Sequence, residues 1–308
     1  MSHIPVLLQE CLDGLAIKPD GIYLDGTLGR GGHSAEIAKR LTTGRLICID
    51  RDETAFAGAA DKLAPYMERI HFAHSNFSEF DAVLGSLGYD TIDGMLFDLG
   101  VSSPQLDEAN RGFSYMHDAP LDMRMNRQDS LTAHSIVNSY GHGELARIFR
   151  VFGEERFASP VASAILRTRE KHPIETTFEL VNTIKSAMPA SALREKQHPA
   201  KRCFQALRMA VNDELAAVET VMQKAPQHLN SGGRLCVISF HSLEDRIVKN
   251  GFAEAARGCT CPGDFPVCVC GNTPLMTLVQ KKPIIAGTEE LEQNPRSRSA
   301  KLRVGERC

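Results

Sequence analysis

The chain has 308 residues, of which 43% are hydrophobic and 24% charged. That is a globular balance, long enough for two domains or one large one, and it excludes disordered, collagenous and small disulfide-stapled classes. The formal net charge of −3 argues, taken whole, against a basic nucleic-acid binder, but it is unevenly placed. Residues 1–100 carry 8 basic and 15 acidic side chains, net −7, whereas residues 101–308 carry 27 and 23, net +4. A polyanionic partner is therefore expected on the later two-thirds. No apolar run approaches the roughly 20 residues of a membrane span. Residues 1–20 lack the basic start and apolar stretch of a signal peptide, so no membrane and a cytoplasmic location are expected. In a reducing compartment the nine cysteines are not a disulfide framework. Cys11, Cys48, Cys203 and Cys236 sit in apolar or helical surroundings and read as small buried hydrophobes.

In chain order, residues 21–25 form a short apolar run that ends in Asp25 and enters a glycine-rich loop, the pattern of a buried strand. Residues 33–41 have helical spacing. Residues 45–50 read as a second buried strand, again ending in an acid, Asp50. A helix follows over 53–63, stopped by Pro65, then strands over 69–73 and 92–98. Strands alternating with helices predict βαβ units and a mainly parallel sheet, with ligands at the carboxyl ends of the strands. After Pro104 the rhythm changes. Helical patterns over 143–152, 159–171 and 177–187 follow without convincing strands, and a long amphipathic helix is expected over 204–225. A clear strand returns at 232–240. The reading is one α/β domain in two parts, 1–105 and 206–308, interrupted by a helical insertion over 106–205. Residues 258–274, rich in Cys, Pro and Gly, must be loop.

The loop Asp25-Gly26-Thr27-Leu28-Gly29-Arg30-Gly31-Gly32-His33-Ser34 lies between the first strand and helix. Its glycines allow positive φ and close approach of a ligand to the backbone. It matches the dinucleotide fingerprint G-x-G-x-x-G only in part, because Ser34 takes the third glycine's place, and it is not a Walker A loop. A nicotinamide-dependent oxidoreductase is accordingly the weaker reading. An acid before a glycine loop suits a ligand with a cationic amino-acid end, such as S-adenosylmethionine, whose carboxylate a helix N-terminus can take. Asp50 at the tip of the second strand can accept both ribose hydroxyls, or else cap a helix. Phe77, just past the third strand, reads equally well as an adenine contact or as core.

The fourth strand ends in Asp98-Leu99-Gly100-Val101-Ser102-Ser103-Pro104-Gln105. An acid followed by a Ser-Pro turn resembles part of the loop with which enzymes methylate exocyclic amines of bases. The amine lone pair is delocalised into the ring, so acceptors that make it nucleophilic, in-line positioning and a weak base such as Asp98 are what the chemistry requires. A second proline and an adjacent aromatic are missing; Phe113 and Tyr115 are the nearest stacking candidates. The alternative for Asp98 is a helix cap or supporting group.

These motifs, together with 3–8, 111–114, 121–125, 153–157, 239–246 and 294–299, make the chain closely resemble the ribosomal RNA small subunit methyltransferase H family over nearly its whole length. The resemblance implies a Rossmann-like class I methyltransferase domain with a helical insertion. It implies S-adenosylmethionine-dependent methylation of N4 of a cytidine in the decoding region of 16S rRNA. It places cofactor contacts on Gly31, Gly32, His33, Asp50, Phe77, Asp98 and Gln105. Phe152, where the family often has Tyr, and the segment near Lys201 and Cys203, where it often has Thr, are minor departures. Asp98, Ser103 and His241 are the catalytic candidates. His241 follows the last strand and reads either as a satisfied core histidine or as a target-base contact.

The expected partner is 16S rRNA or the small ribosomal subunit, with a homodimer left open. Residues 194–208 carry net +4 and residues 281–308 net +3, so both are candidate phosphate-binding segments. Lys201, Arg202 and Arg208 lie in the first of them. Arg111, Arg124 and Arg156 either clamp phosphate or pair with Asp107, Asp122 or Glu154. A non-enzymatic reading, an RNA-binding assembly factor with a structural cofactor site, stays as the alternative. Cys259-x-Cys261 and Cys268-x-Cys270 are spaced more tightly than the C-x₂₋₄-C of structural zinc sites, so a loop without metal is the expectation there.

Overall fold

The computed structural model describes residues 4–262 and 267–308, apart from the side chain of Ser103. In chain order the helices are α1 (Leu8–Leu15), α2 (Gly32–Arg40), α3 (Thr54–Leu63), α4 (Phe80–Ser86), α5 (Ser103–Asp107), α6 (Ala133–Ser139), α7 (His142–Val151), α8 (Ala158–Arg169), α9 (Thr177–Ser186), α10 (Ala190–Leu193), α11 (Lys201–Asn212), α12 (Glu214–Lys224), α13 (Ser242–Ala255) and α14 (Thr288–Gln293). The strands are β1 (Ile22–Asp25), β2 (Arg45–Asp50), β3 (Ile70–His74), β4 (Ile92–Asp98), β5 (Leu229–Ser239), β6 (Met276–Leu278) and β7 (Lys301–Arg307).

Strands β1, β2 and β4 are near-continuous apolar runs because helices cover both faces of the sheet. Successive residues of β2 enter opposite cores: Leu46 and Cys48 join Leu7, Leu15, Ile37 and Val304, while Ile47 and Ile49 join Phe80, Phe97, Val237 and Phe252. The strand order is β3-β2-β1-β4-β5-β7-β6. β1 to β5 pair in parallel, and β7 runs antiparallel between β5 and β6. The order reverses between β1 and β4, and the carboxyl ends of those two strands are where such a sheet binds its ligand. The fold is thus the expected Rossmann-like α/β arrangement with a mainly parallel sheet.

The sheet and its helices form one compact unit, Met1–Gly100 with Leu215–Cys308; the inserted helices form another, Val101–Glu214. The second unit packs its own core from Phe149, Val161, Ile165, Leu180, Ile184 and Leu207. The insertion is longer at both ends than the expected 106–205. Its carboxyl boundary was hidden because the expected helix over 204–225 is two helices. Asp213 adopts a left-handed conformation, φ 49°, and stops α11 before α12 begins. The basic segment after 281 is folded into the sheet unit. Residues 301–307 are β7, and Lys301 and Arg303 bond the carboxylate of Asp245 at 3.0 and 2.8 Å. Among the described residues no helix is long and apolar enough to cross a membrane.

Candidate active site

Three strands of the sheet unit deliver an acid to its carboxyl edge: Asp25 from β1, Asp50 from β2 and Asp98 from β4. They do different things. Asp25, 1% exposed, is structural: Oδ2 accepts the Ser34 hydroxyl at 2.5 Å and Oδ1 the Thr27 N–H at 3.1 Å. It therefore ties the start of the glycine loop to the first turn of α2. Thr27 then bridges to β4, its Oγ1 accepting the Asp98 N–H at 2.7 Å. Sequence reasoning passed over Thr27, since a lone threonine in a loop carries no signal of its partner.

The loop is shaped by its glycines. Gly29 and Gly31 have φ of +49° and +68°, and Gly31 caps α2. At Gly32 any Cβ would lie 2.4 Å from Pro5 Cγ, so only glycine fits there. Asp50 holds the loop from the next strand. Its Oδ2 accepts the Gly29 N–H and its Oδ1 the Asp52 N–H, both at 2.8 Å. Each carboxylate oxygen has two acceptor sites, so one on each remains for a pair of neighbouring hydroxyls. Burial pushes the Asp50 carboxyl up to about 6 against those two hydrogen bonds. Phe77 answers to both of its readings: its ring packs 5.9 Å from that of Phe97 and its side chain borders Gly26, yet it stays partly exposed.

Asp98 is the outlier. Its Oδ1 is buried and has no hydrogen-bond partner among the described residues. Its Oδ2 lies 3.9 Å from His33 Nδ1, too far to be a hydrogen bond. His33, 7% exposed, has its other ring nitrogen 3.0 Å from the Val6 carbonyl, which can only accept, so Nε2 carries the proton and Nδ1 turns a lone pair toward Asp98. Burial lowers the His33 pKa and keeps the ring neutral. Burial, helped by the charges of Asp25 and Glu244, pushes the Asp98 carboxyl up to about 8. An acid so perturbed, at a strand end beside a glycine loop, marks a site. The donor set fits S-adenosylmethionine: a carboxylate for its cationic end, spare acceptors on Asp50 for hydroxyls, and a helix N-terminus for its carboxylate.

His241 is more bound up in structure than a free base would be. It is the N-cap of α13, its Nδ1 accepting the Glu244 N–H at 3.4 Å, while its buried Nε2 lies 2.9 Å from Glu244 Oε1 without hydrogen-bond geometry. Glu244, 1% exposed, reaches back to the Phe240 N–H at 2.8 Å. Sequence reasoning passed over this capping box, because its N-cap is a histidine and not the usual Ser, Thr, Asp or Asn. His241 and Phe240 also line a cavity of about 320 Å³ with Arg298 and Lys301. Ser103 opens α5, and its side chain lies outside the described residues. Gln105 belongs to the helical unit, where its Oε1 accepts the Ser102 N–H at 3.0 Å and so caps α5.

The helical unit sorts the six candidate RNA-binding cations into two groups. Arg111, 2% exposed, donates to the carbonyls of Arg124 and Met125, both at 2.9 Å. Arg124 grips Asp122 with two bonds of 2.8 Å and gives its remaining arm to the carbonyls of Arg127 and Asp129. Arg208 makes a two-bond pair with Glu214, both at 2.7 Å. Arg111 and Arg208 thus correct the phosphate-contact expectation, and Arg124 follows its other reading, the pair with Asp122; the donors of all three are engaged within the protein. Arg156, Lys201 and Arg202 remain at the surface. Arg156 stacks over Phe157 and pairs with Glu195, and Arg202 gives one N–H to the Glu154 carbonyl at 2.8 Å. Nearby in sequence, His198 stacks on Tyr115 with ring centroids 4.5 Å apart, whereas Phe113, the other stacking candidate, is core.

Comparison with known proteins agrees with this geometry. The family model described as the MraW methylase family matches residues 1–308. The chain is 55% identical over 313 residues to "Ribosomal RNA small subunit methyltransferase H" of Paenibacillus sp. (strain JDR-2), covering 99% of each protein. It is 55% identical over 307 residues to the protein of the same name from Heliobacterium modesticaldum, covering 99% of this chain and 98% of that one. A relative of that name from Clostridium botulinum is 54% identical, with 98% of each covered. With the glycine loop, the strand-end acids and the helical insertion all in place, the chain belongs to the MraW methylase family.

Proposed function

We propose that the chain is an S-adenosylmethionine-dependent methyltransferase acting on N4 of a cytidine in 16S rRNA of the small ribosomal subunit. The observation that carries this reading is Asp98: a half-buried carboxyl whose buried Oδ1 has no partner among the described residues, at the switch point of the sheet, beside a loop that Asp50 holds open to hydroxyl groups. The relatives' printed name supports the substrate.

When bound, S-adenosylmethionine supplies a methyl group on a sulfonium, already a good leaving group. The first turn of α2, at Gly32 and His33, would take its carboxylate, Asp50 its ribose hydroxyls, and Phe77 would border its base. Asp98 has two roles open to it: facing the cationic end of the cofactor, and accepting a proton from the N4 amine through Oδ1. A carboxyl whose pKa sits near 8 is well matched to proton transfer at neutral pH. His33 holds its neutral ring against Asp98 and keeps that face of the carboxyl dry. Of the six candidate cations, Arg156, Lys201 and Arg202 are the ones at the surface that would meet phosphate, Arg156 by exchanging Glu195 for it, and His241 with Arg298 borders a cavity of the sheet unit.

The test is methyl transfer from labelled S-adenosylmethionine to small subunits that lack the modification, with the product mapped by mass spectrometry. Label on one cytidine at N4 is expected. Cofactor binding without transfer would favour the assembly-factor reading instead. Calorimetry provides the second arm: binding of S-adenosylmethionine and not NAD is expected. Asp50→Ala should weaken that binding by at least about tenfold to a hundredfold, the value of a single charge-assisted hydrogen bond.

A further inference from the structure

Two short motifs in the sheet unit serve no part of the methyl-transfer site. Cys259-Thr260-Cys261 and Cys268-Val269-Cys270 lie in the segment between α13 and β6, which the C-x-C spacing led us to read as loop without metal. The fold brings all four sulfurs together: every Sγ lies within 4.8 Å of the others. Cys268 and Cys270 are 3.5 Å apart, and Cys270 and Cys259 3.7 Å. These separations exceed a disulfide bond of about 2.05 Å. They match the edge of a tetrahedron of sulfurs around a zinc ion, about 3.8 Å for Zn–S bonds of about 2.3 Å.

The surrounding backbone is arranged toward the sulfurs as well. The middle residue of each motif donates its N–H to the last cysteine of the other: Thr260 to Cys270 Sγ and Val269 to Cys261 Sγ, both at 3.3 Å. The two arms are thus related by an approximate twofold exchange. Asn272 adds a third N–H to Cys270 Sγ at 3.5 Å. N–H groups aimed at sulfur favour the thiolate, the form that ligates metal. Asn272 Nδ2 then ties the second arm to the Gly258 carbonyl at 2.7 Å, and Leu275 N–H bonds the Ala255 carbonyl at 2.8 Å, closing the base of the segment.

No apolar packing explains this convergence. None of the described residues from 257 to 274 is buried, and Val267 and Val269 are 69% and 73% exposed. A segment without a core holds a fixed shape only if something else joins its arms. We propose that Cys259, Cys261, Cys268 and Cys270 bind one zinc ion as a closed four-thiolate site that staples this segment. Four protein ligands leave no open position, so the ion is structural and takes no part in methyl transfer. Binding releases the thiol protons remaining on the four cysteines to solvent and changes no oxidation state.

The test is metal analysis of the full chain purified under reducing, oxygen-free conditions. One zinc per chain is expected, released by an organomercurial thiol reagent. Cobalt exchanged into the chain should show the visible bands of a tetrahedral thiolate site. Cys259→Ser and Cys270→Ser should each lose the metal, while Cys308→Ser, exposed and outside the cluster, should keep it. Zinc removal from the unsubstituted chain should open residues 257–274 to protease while the circular dichroism of the rest is kept; this readout stands if a variant fails to fold. A metal-free chain with four titratable thiols, a disulfide among the four, iron in place of zinc, zinc retained in both Ser variants, or unchanged proteolysis after zinc removal would each overturn the proposal.

Discussion

The helical unit and the Asp50–Asp98 edge of the sheet unit hold charge in opposite ways. In the helical unit Arg111, Arg124 and Arg208 are drawn in and fully engaged, each by carbonyls or by a two-bond carboxylate pair. At that edge Asp98 turns in an Oδ1 that has no partner among the described residues, and Asp50 keeps an acceptor free on each oxygen. Burying an ion is costly, so a fold either supplies its partner or keeps the site for a partner from outside. The first solution is architecture, and the second is a binding site. A charge count cannot tell them apart, and three of the six cations that looked like RNA contacts prove to be architecture.

The comparison can be broken at either end. The largest effect is expected at Asp98: Asp98→Asn should lower turnover by about 10²–10⁴-fold, the usual worth of a positioned proton acceptor. Turnover within a few-fold of the parent in single-turnover assays would remove Asp98 from the chemistry. Next comes the engaged pair. Arg208→Leu leaves Glu214 buried without its partner and should destabilise the chain by about 3 kcal/mol in urea unfolding. The double change Arg208→Leu with Glu214→Leu should recover much of that loss, as a structural pair requires.

A smaller effect follows from the raised Asp98 pKa. The folded chain holds this proton up to about pH 8, whereas an unfolded aspartate loses it near 3.9. Between those values the folded state binds more protons, so stability falls as pH rises. Asp98→Asn should remove that loss, so the variant should gain stability over the parent in urea unfolding as pH rises from about 4 to 8. A cationic cofactor reverses the preference, so its binding should release a proton. Affinity should then climb by up to about tenfold per pH unit below pH 8, and calorimetric heats should depend on the buffer. Flat affinity across that range would mean that Asp98 does not face the cation. The smallest effect belongs to the surface cations: Lys201→Ala should reduce the salt slope of RNA binding by about one, with little change in stability.

The sheet was legible because its strands are buried on both faces and read as apolar runs ending in acids at 25, 50 and 98. The glycine loop and its strand-end acids were legible for the same reason, since local residue types carry them. What escaped depends on distant or conformational partners. Asp213 ends α11 through a left-handed φ without a glycine to announce it. The alternation Leu302, Val304 against Lys301, Arg303 does signal a strand, but a count of basic residues concealed it. Arg124 did meet Asp122, as one reading allowed; Arg156 met Glu195, 39 residues away, which no spacing rule would single out. The four thiols come from two motifs whose convergence the C-x-C spacing does not announce; the bonds of Asn272 and Leu275 that close the base of the segment are likewise invisible in the sequence.

The position of β7 governs when this protein can finish folding. β7 follows β6 in the chain but lies between β5 and β6 in the sheet. On the ribosome, β5 is complete at Ser239, yet its antiparallel neighbour emerges only with Lys301. That delay is roughly 60 residues, several seconds of synthesis at about 5–20 residues per second. Until then β5 presents an unpaired apolar edge, and β6 has no strand to join. The helical unit, continuous from Val101 to Glu214, is synthesised whole before β5 begins. The nascent chain should therefore carry a finished helical unit on an unfinished sheet, and the exposed edge of β5 is where a holding chaperone would find its grip.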